Sequence, residues 1–395
     1  MSVGLLRWAD RYLGILACWL LTWHRRTLGR LLAHPPADPP RALLVIKLLG
    51  LGSVLLTGPV LRGLKTAFPD ARLFYLTFAE NRWAAESLGL ADEVWTVSSR
   101  GLGRLLKDYL AFRRNCRRER IDVCLDLEFF SRLPAVLTYL SGAPRRVGFW
   151  ERALSSGDLF TARGKYNPYR HVTENFCSLA EQVGAPCAPA ELVTPRLADA
   201  DLASARAKLS DCGLGPDEPF VVLSPNVSDL GAELRRWPQD RWAKLADRLW
   251  QEGLPTVVIG APSDVAYVDE ILAQCAPETR VRSLAGETTL GEAAAVISLA
   301  GALAACDSGP VALAECLGTP VAVLFSTETP VIFGPRGPQS RVLYKGLYCS
   351  PCLSVYNEKI VDFVCDNRCM LDITVDEVLQ AVVDVVRRPE ARHEQ

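Results

Sequence analysis

Short, unbroken apolar runs recur along this chain with room for one helix between neighbours, and nothing else constrains its fold as strongly. Ala42-Leu43-Leu44-Val45-Ile46 is the first, followed by the turn Gly50-Leu51-Gly52-Ser53 and helical spacing over 54–68. Residues 71–76, Val94-Trp95-Thr96-Val97 and Val123-Cys124-Leu125-Asp126-Leu127 continue the series. A run that is apolar at every position marks a strand covered on both faces. Such strands alternating with helices imply a parallel sheet with helices on both sides. The pattern restarts after a polar, proline-bearing region at 186–217. Phe220-Val221-Val222-Leu223-Ser224 reads as a strand, 240–252 as a helix, 256–260 as a strand, 290–299 as a helix and 302–306 as a strand. The expectation is an α/β chain of two doubly wound domains, 41–200 and 201–395. A length of 395 residues agrees, since one core rarely grows past ~250–300 residues. Ligands of such sheets bind at the carboxyl ends of the strands and between domains.

The formal net charge is −1, so no global field draws nucleic acid, and no nucleic-acid partner is expected. Most of the 13 cysteines sit singly in apolar runs, as Cys18, Cys124 and Cys316 do. An odd, scattered set does not suggest a secreted disulfide scaffold, and a reducing cytoplasm is expected.

Residues 1–40 stand apart as a helix followed by the stiff linker Pro35-Pro36-Ala37-Asp38-Pro39-Pro40. The apolar run from Tyr12 to Trp23 is too short to span a bilayer, which takes ~20 apolar residues. Arg25, Arg26 and Arg30 follow the run rather than precede it, unlike a signal peptide. Tryptophans at its edges beside arginines suit a helix lying on an anionic leaflet. Packing on the chain's own core or on a second subunit is the other reading.

Cys306-Asp307-Ser308-Gly309-Pro310 ends a buried strand and opens a helix. A helix N-terminus presents unpaired N–H groups and the positive end of the helix dipole, a seat for a diphosphate. Gly50-x-Gly52 lacks the third glycine of a dinucleotide fingerprint, because Leu55 stands there.

Taken in order, these segments resemble glycosyltransferase family 9, which contains the lipopolysaccharide heptosyltransferases. The matching stretches are 44–53, Pro59-Val60-Leu61-Arg62-Gly63-Leu64-Lys65, Phe68-Pro69-Asp70-Ala71-Arg72, Arg145-Arg146-Val147-Gly148-Phe149 and His171-Val172-Thr173-Glu174. Arg235-Arg236-Trp237-Pro238, the 306–310 loop and Phe325-Ser326-Thr327-Glu328-Thr329-Pro330 complete the series over roughly residues 41–380. The resemblance implies a GT-B fold, two Rossmann-like domains facing a cleft. The acceptor would sit on the first domain and the sugar nucleotide on the second, with inverting transfer and no catalytic metal.

An inverting transfer needs a base for the acceptor hydroxyl and donors for the departing diphosphate. Asp307, Ser308, Gly309 and Pro310 form the expected phosphate cradle, with Arg235 and Arg236 as cations. Arg235 falls where the family usually carries a phosphate-binding lysine; surface ion pairing is the plainer role for both arginines. Asn226 and Ser228 follow the first strand of the second domain and can hold ribose or phosphate, and Glu328 at another strand end can bind nucleotide hydroxyls or sugar. Lys47, Gly52 and Ser53 line the expected acceptor side. The family's heptosyltransferases carry an aspartate, thought to be the base, where this chain has Ser53, and a histidine where it has Ala312. A serine hydroxyl is not basic near neutral pH, so Asp126 and Glu128 are the candidate substitutes. A turn or cap role is the plainer reading of Asp126, and of Ser53.

Cys349, Cys352, Cys365 and Cys369 form C-x2-C and C-x3-C pairs within the insert 349–369. Four thiolates so spaced can close a structural zinc site. An iron–sulfur cluster, two disulfides or four unlinked thiols are the alternatives, none of them catalytic.

The leading expectation is a glycosyltransferase moving heptose or a related sugar from a nucleotide diphosphate sugar to a lipid-linked or envelope saccharide such as lipopolysaccharide. It would work in the cytoplasm, peripheral on the inner face of the bacterial cytoplasmic membrane, attached through the N-terminal helix. Ser53 and Ala312 support an alternative: a catalytically silent member that binds nucleotide sugar or scaffolds envelope glycan assembly. A two-domain binding or epimerase-type α/β protein is the third reading, disfavoured by the motif order.

Overall fold

A computed structural model describes residues 3–29, 37–98, 102–129, 131–151, 157–227, 232–353 and 365–387. The chain divides into two compact units, Met1–Val193 and Thr194–Gln395. The stretch just before residue 201 belongs with the second unit because the helix that starts there packs within it: Ser204 bonds the Glu292 carboxylate and Lys208 pairs with it at 3.5 Å.

The first unit holds β1 (Ala42–Ile46), β2 (Arg72–Phe78), β3 (Glu93–Val97), β4 (Val123–Asp126), β5 (Arg145–Phe149) and β6 (Ala162–Gly164). They pair in parallel in the order β3-β2-β1-β4-β5-β6. Leu44 stands opposite both Phe74 and Cys124, and β1 is buried at every position, as an all-apolar run requires. Its helices are α1 (Val3–His24), α2 (Leu51–Leu55), α3 (Gly58–Ala67), α4 (Arg82–Ser87), α5 (Leu102–Glu119), α6 (Leu133–Leu140) and α7 (Val172–Glu181). The single helix read over 54–68 is in fact two. Pro59 lacks an N–H to continue the first and instead sits in the opening turn of the second.

The second unit repeats the plan. Its strands are β7 (Val221–Ser224), β8 (Thr256–Val258), β9 (Val281–Ser283), β10 (Ala302–Cys306), β11 (Val321–Phe325) and β12 (Ser340–Tyr344), all parallel in the order β12-β11-β10-β7-β8-β9. Its helices are α8 (Asp199–Asp211), α9 (Ala232–Arg235), α10 (Gln239–Gln251), α11 (Val265–Leu272), α12 (Leu290–Leu299), α13 (Gly309–Leu317), α14 (Pro330–Phe333), α15 (Arg368–Leu371) and α16 (Val375–Val386). Strand order reverses between β1 and β4 in one sheet and between β7 and β10 in the other. Those two points are where crevices open at the strand ends.

One cysteine pairing has no sign in the sequence spacing. Cys177 of α7 is disulfide-bonded to Cys187.

Helix α1 is packed onto its own unit along one side. Cys18, fully buried, clusters with Ala135, Leu159 and Phe160. Asp10 closes the open end of α6, accepting from Ser131 Oγ at 2.7 Å, Arg132 N at 2.9 Å and Leu133 N at 3.0 Å. No helix among the described residues is long and apolar enough to cross a membrane. Asp10→Ala removes a carboxylate cap and should lower stability by about 1–2 kcal/mol. Urea denaturation checks this, and an unchanged midpoint would deny Asp10 a part in holding α1.

Candidate functional site

At the first switch point the chain leaves β1 through Lys47 and β4 through Asp126. Lys47 is buried and donates to Leu49 O at 2.7 Å and to both Glu128 oxygens at 3.0 and 2.9 Å. Glu128, also buried, accepts from Leu49 N at 3.2 Å. Lys47 further lies over the Phe129 ring, 5.5 Å from its centre. The ammonium thus spends its three donors inside the protein. The pair braces the loop between β1 and α2 against the loop after β4, and Asn81 Nδ2 holds the same loop by Leu48 O at 2.9 Å. The Lys47 ammonium and the Glu128 carboxylate are thus paired with each other at the strand ends.

Asp126 differs. Its Oδ1 accepts from Glu128 N at 2.9 Å, the turn role weighed above. Burial nonetheless holds its carboxyl well above the ordinary carboxylate range, against the pull of that N–H; the Glu128 charge adds to the rise and Lys47 opposes it. Gly50 opens α2 at φ +82°, a conformation that favours glycine. Gly52 and Ser53 lie inside α2, half-buried, and Ser53 has no hydrogen bond among the described residues. It does not cap the helix, whose N-cap is Gly50.

Two other motif residues serve the fold. Arg146 is buried with Nε donating to Leu159 O at 2.8 Å, and His171 caps α7, its Nδ1 accepting from Thr173 N at 3.3 Å.

At the second switch point, β7, β10 and β11 are neighbours, and the expected donor residues follow their carboxyl ends. Trp237, fully buried, packs edge-on against Trp242 and donates to Ile373 O at 3.0 Å. This anchor fixes the two arginines before it. Arg235 bonds the Asp307 backbone carbonyl and sits 3.3 Å from its carboxylate, so its ion pair is with the site loop itself. Arg236 forms no ion pair among the described residues; its guanidinium lies 4.6 Å from the centre of the Tyr267 ring.

Ser308 is the N-cap of α13, and its hydroxyl donates back to Cys306 O at 2.9 Å. Pro310 has no N–H, and Val311 N donates to Ser308 O at 3.1 Å. The cradle therefore offers the Ser308 and Gly309 amides, fewer than the sequence suggested. Burial pushes the neighbouring Cys306 thiol up to about 12, which leaves it inert at neutral pH.

Beyond β7, the Asn226 side-chain amide is buried with no hydrogen-bond partner at either its oxygen or its nitrogen among the described residues. Beyond β11, the fully buried Thr327 hydroxyl is likewise unpartnered, next to buried Glu328. A buried polar group left so calls for a reason, and a bound ligand is one. Ser228 lies outside the described residues. Sequence reading missed Thr327 and Tyr267. The polar triplet Ser326-Thr327-Glu328 behind a buried strand was a usable sign for the first; the second had none.

The cysteine insert rests on this same strand end. Cys352 N and Leu353 N both donate to Thr327 O at 2.9 Å. Burial and the thiols of Cys352, Cys365 and Cys349 together push Cys369 up to about 11. The four sulfurs therefore share one locality, yet no group of three or more metal-binding side chains among the described residues is arranged to hold an ion.

The Lys47–Glu128 pair sets a clear test. Lys47→Met leaves a buried carboxylate alone and should cost about 3–5 kcal/mol, most of it recovered by adding Glu128→Gln. Equal losses in the single and double variants on urea denaturation would show that the two side chains do not act as a pair.

The profile of "Glycosyltransferase family 9 (heptosyltransferase)" matches residues 109–360. Lipopolysaccharide heptosyltransferase 3 of Escherichia coli strain K12 is 28% identical over 282 residues, 66% of this chain and 75% of the relative. Lipopolysaccharide heptosyltransferase 2 of Salmonella typhimurium strain LT2 is 28% identical over 315 residues, 76% of this chain and 87% of the relative. Among solved structures, a family 9 glycosyl transferase from Veillonella parvula superposes with a TM-score of 0.73 at 22% identity, over 88% of this chain and 97% of that one. The E. coli ADP-heptose lps heptosyltransferase II gives 0.70 at 20%, over 89% and 100%, and E. coli heptosyltransferase WaaC with ADP gives 0.64 at 16%, over 87% and 99%. At these identities the structural likeness shows the fold, which is of the GT-B kind expected. The profile match covers well over half of the sequence, and the chain belongs to glycosyltransferase family 9.

Proposed function

We propose that this glycosyltransferase moves a heptose or related sugar from a nucleotide diphosphate sugar to a lipid-linked or envelope saccharide such as lipopolysaccharide. Transfer is inverting and needs no catalytic metal. It takes place in the cytoplasm, at the inner face of the bacterial cytoplasmic membrane. The carrying observation is the pair of buried, unpartnered polar groups at Asn226 and Thr327, flanking the α13 N-terminus with Arg235 and Arg236 beside it. Hydrogen-bonding groups that find no partner among the described residues, next to cations and a helix end, suit a nucleotide diphosphate. The names of the relatives support heptose as the sugar, and WaaC in complex with ADP supports an adenine nucleotide.

In this reading Asp126 takes the acceptor proton in place of the family's aspartate at position 53. Its raised pKa means that it works as a base only on the alkaline side of that value, so turnover climbs with pH through it. Ser53 and Gly52 then contact acceptor. A second reading, a silent member that binds nucleotide sugar or scaffolds glycan assembly, rests on Ser53 and Ala312.

Calorimetric titration with ADP-heptose, followed by transfer assays on membrane-extracted acceptor, separates these readings. Asn226→Ala should weaken donor binding about tenfold. Asp126→Asn should lower kcat by about 10²–10⁴-fold and leave donor affinity intact. Unchanged turnover would remove Asp126 as the base. Donor binding without transfer to any acceptor would select the silent reading, and no binding would end both.

For the insert we propose that Cys349, Cys352, Cys365 and Cys369 close on a structural zinc when it is supplied, stapling the Thr327 strand end. Elemental analysis of protein purified with zinc should find about one ion per chain, lost in Cys352→Ser. Metal-free parent protein would refute this.

A further inference from the structure

The chain runs to the end of the first unit through the segment 182–193, which is tied down at both of its sides. Gly184, at φ +85°, reverses the chain after α7. Ala185 N donates to Ala180 O at 3.1 Å, and the reversal brings Cys187 back onto Cys177, with their Cα atoms 5.6 Å apart and their sulfurs bonded. On its other side the segment lies tight against α3. A methyl group at Gly63 would stand 2.7 Å from Pro186 O and 2.9 Å from Cys187 Cβ, and one at Gly58 only 2.8 Å from Val193 Cβ. Arg62 of α3 donates to Glu191 O at 3.4 Å and to Leu192 O at 3.3 Å, and pairs with the Glu191 carboxylate at 3.5 Å.

The two bonded cysteines are not equally reachable. Cys177 is 2% exposed, whereas Cys187 is half-buried and lines a cavity of about 180 Å³ between α3 and the segment. Pro59, Arg62 and Gly63 form one wall, and the exposed Glu191 stands on the other. A thiolate from solution thus has a way to Cys187 Sγ, with Cys177 as the leaving group. Cys212 and Cys275, also half-buried, remain thiols, so partial exposure alone does not bring cysteines of this fold into bonds. In a protein that works in the cytoplasm, as proposed above, a bond of this kind forms and breaks with the redox state rather than serving as a permanent staple. The contact also reaches further along the chain. Thr57, which opens α3, donates from both N and Oγ1 to Val54 O, at 3.1 and 2.7 Å. That joint holds α3 to α2, the helix that carries Gly52 and Ser53.

We propose that Cys177 and Cys187 form a reversible redox latch, opened by a dithiol that attacks at Cys187 and closed by a low-molecular-weight disulfide. In opening, one thiolate of the dithiol bonds to Cys187 Sγ, the cystine S–S bond breaks, and Cys177 leaves and takes a proton. The second thiol then attacks the mixed disulfide, closes the reductant's own S–S bond and releases Cys187, which takes the other proton. Two reductant thiols become one disulfide as two cysteine thiols appear, and oxidised glutathione runs the exchange backwards. With the latch closed, the segment 182–193 is held on α7 and against α3. With it open, Arg62 still holds Glu191 and Leu192, so the segment loosens without coming away. The effect passes through the Thr57 joint to α2, and its meaning for transfer rests on the reading that Gly52 and Ser53 contact acceptor.

Peptide mass spectrometry of the full chain tests it. Protein isolated under air with its thiols blocked should yield one peptide pair linked through Cys177 and Cys187. Dithiothreitol should cut that link in the folded protein, and oxidised glutathione should restore it. Hydrogen exchange over 182–193 should be at least about tenfold faster in the reduced chain, with a smaller rise over 51–67. Cys187→Ser should match the reduced parent and ignore dithiothreitol; if it does not fold, peptide-resolved exchange of the parent in its two states decides. In transfer assays the reduced form should show an acceptor KM about threefold higher at unchanged ADP-heptose affinity. Two thiols in the air-isolated protein, a link that dithiothreitol leaves intact in the folded state, or equal exchange in both states overturns the latch. So does a dithiothreitol response that persists in Cys187→Ser, which assigns it to the cysteines of 349–369. An acceptor KM that ignores redox state overturns the coupling to α2. Loss of ADP-heptose binding in both states would end the transfer reading and leave the exchange result to stand by itself.

Discussion

Parallel strands cannot be joined by a tight turn, so every connection in both sheets must cross a face and return. The rest of the structure follows from that constraint. Crossovers carrying helices cover both faces, and the strands between them must be apolar throughout, as β1, β10 and β11 are. Polar chemistry is then driven to the strand ends. It gathers where the strand order reverses, because only there do two neighbouring connections part to opposite sides. Lys47 and Asp126 stand at one such point, Asn226 and Asp307 at the other.

The two points are built to different physical ends. At the first, a buried ion pair and its backbone hydrogen bonds hold the loops together, and burial raises the Asp126 carboxyl above the ordinary carboxylate range. At the second, Trp237 fixes the arginines while the Asn226 amide and the Thr327 hydroxyl find no partner among the described residues. A satisfied network makes a rigid platform; unsatisfied buried donors and acceptors make a place for a ligand.

Much of the fold was legible because burial writes itself locally. The strand 302–306 and the helix 290–299 were read with the bounds the structure gives. The helix over 54–68 was misread because its hydrophobic spacing continues through a break that only Pro59 marks. Glu128 was read as a candidate base because it follows a strand end. Its partner Lys47 lies 81 residues earlier, and no local pattern reveals that they meet. The Cys177–Cys187 bond is hidden for a similar reason, since ten residues of separation say nothing of a Cα distance of 5.6 Å.

What the sequence by itself determined was the alternation of buried strand and covering helix, the restart that makes two units, and the polar loops at strand ends. These depend on periodicity and on residues adjacent in the chain. Only the tertiary structure decided which polar groups are consumed internally and which stay open. It also decided that Cys18 of α1 is buried in a cluster with α6 while Trp19 and Trp23 of the same helix are exposed. A charge or a ring carries the same letter whether its partner is water, another side chain or a ligand, and that partner comes from remote parts of the chain brought together by packing.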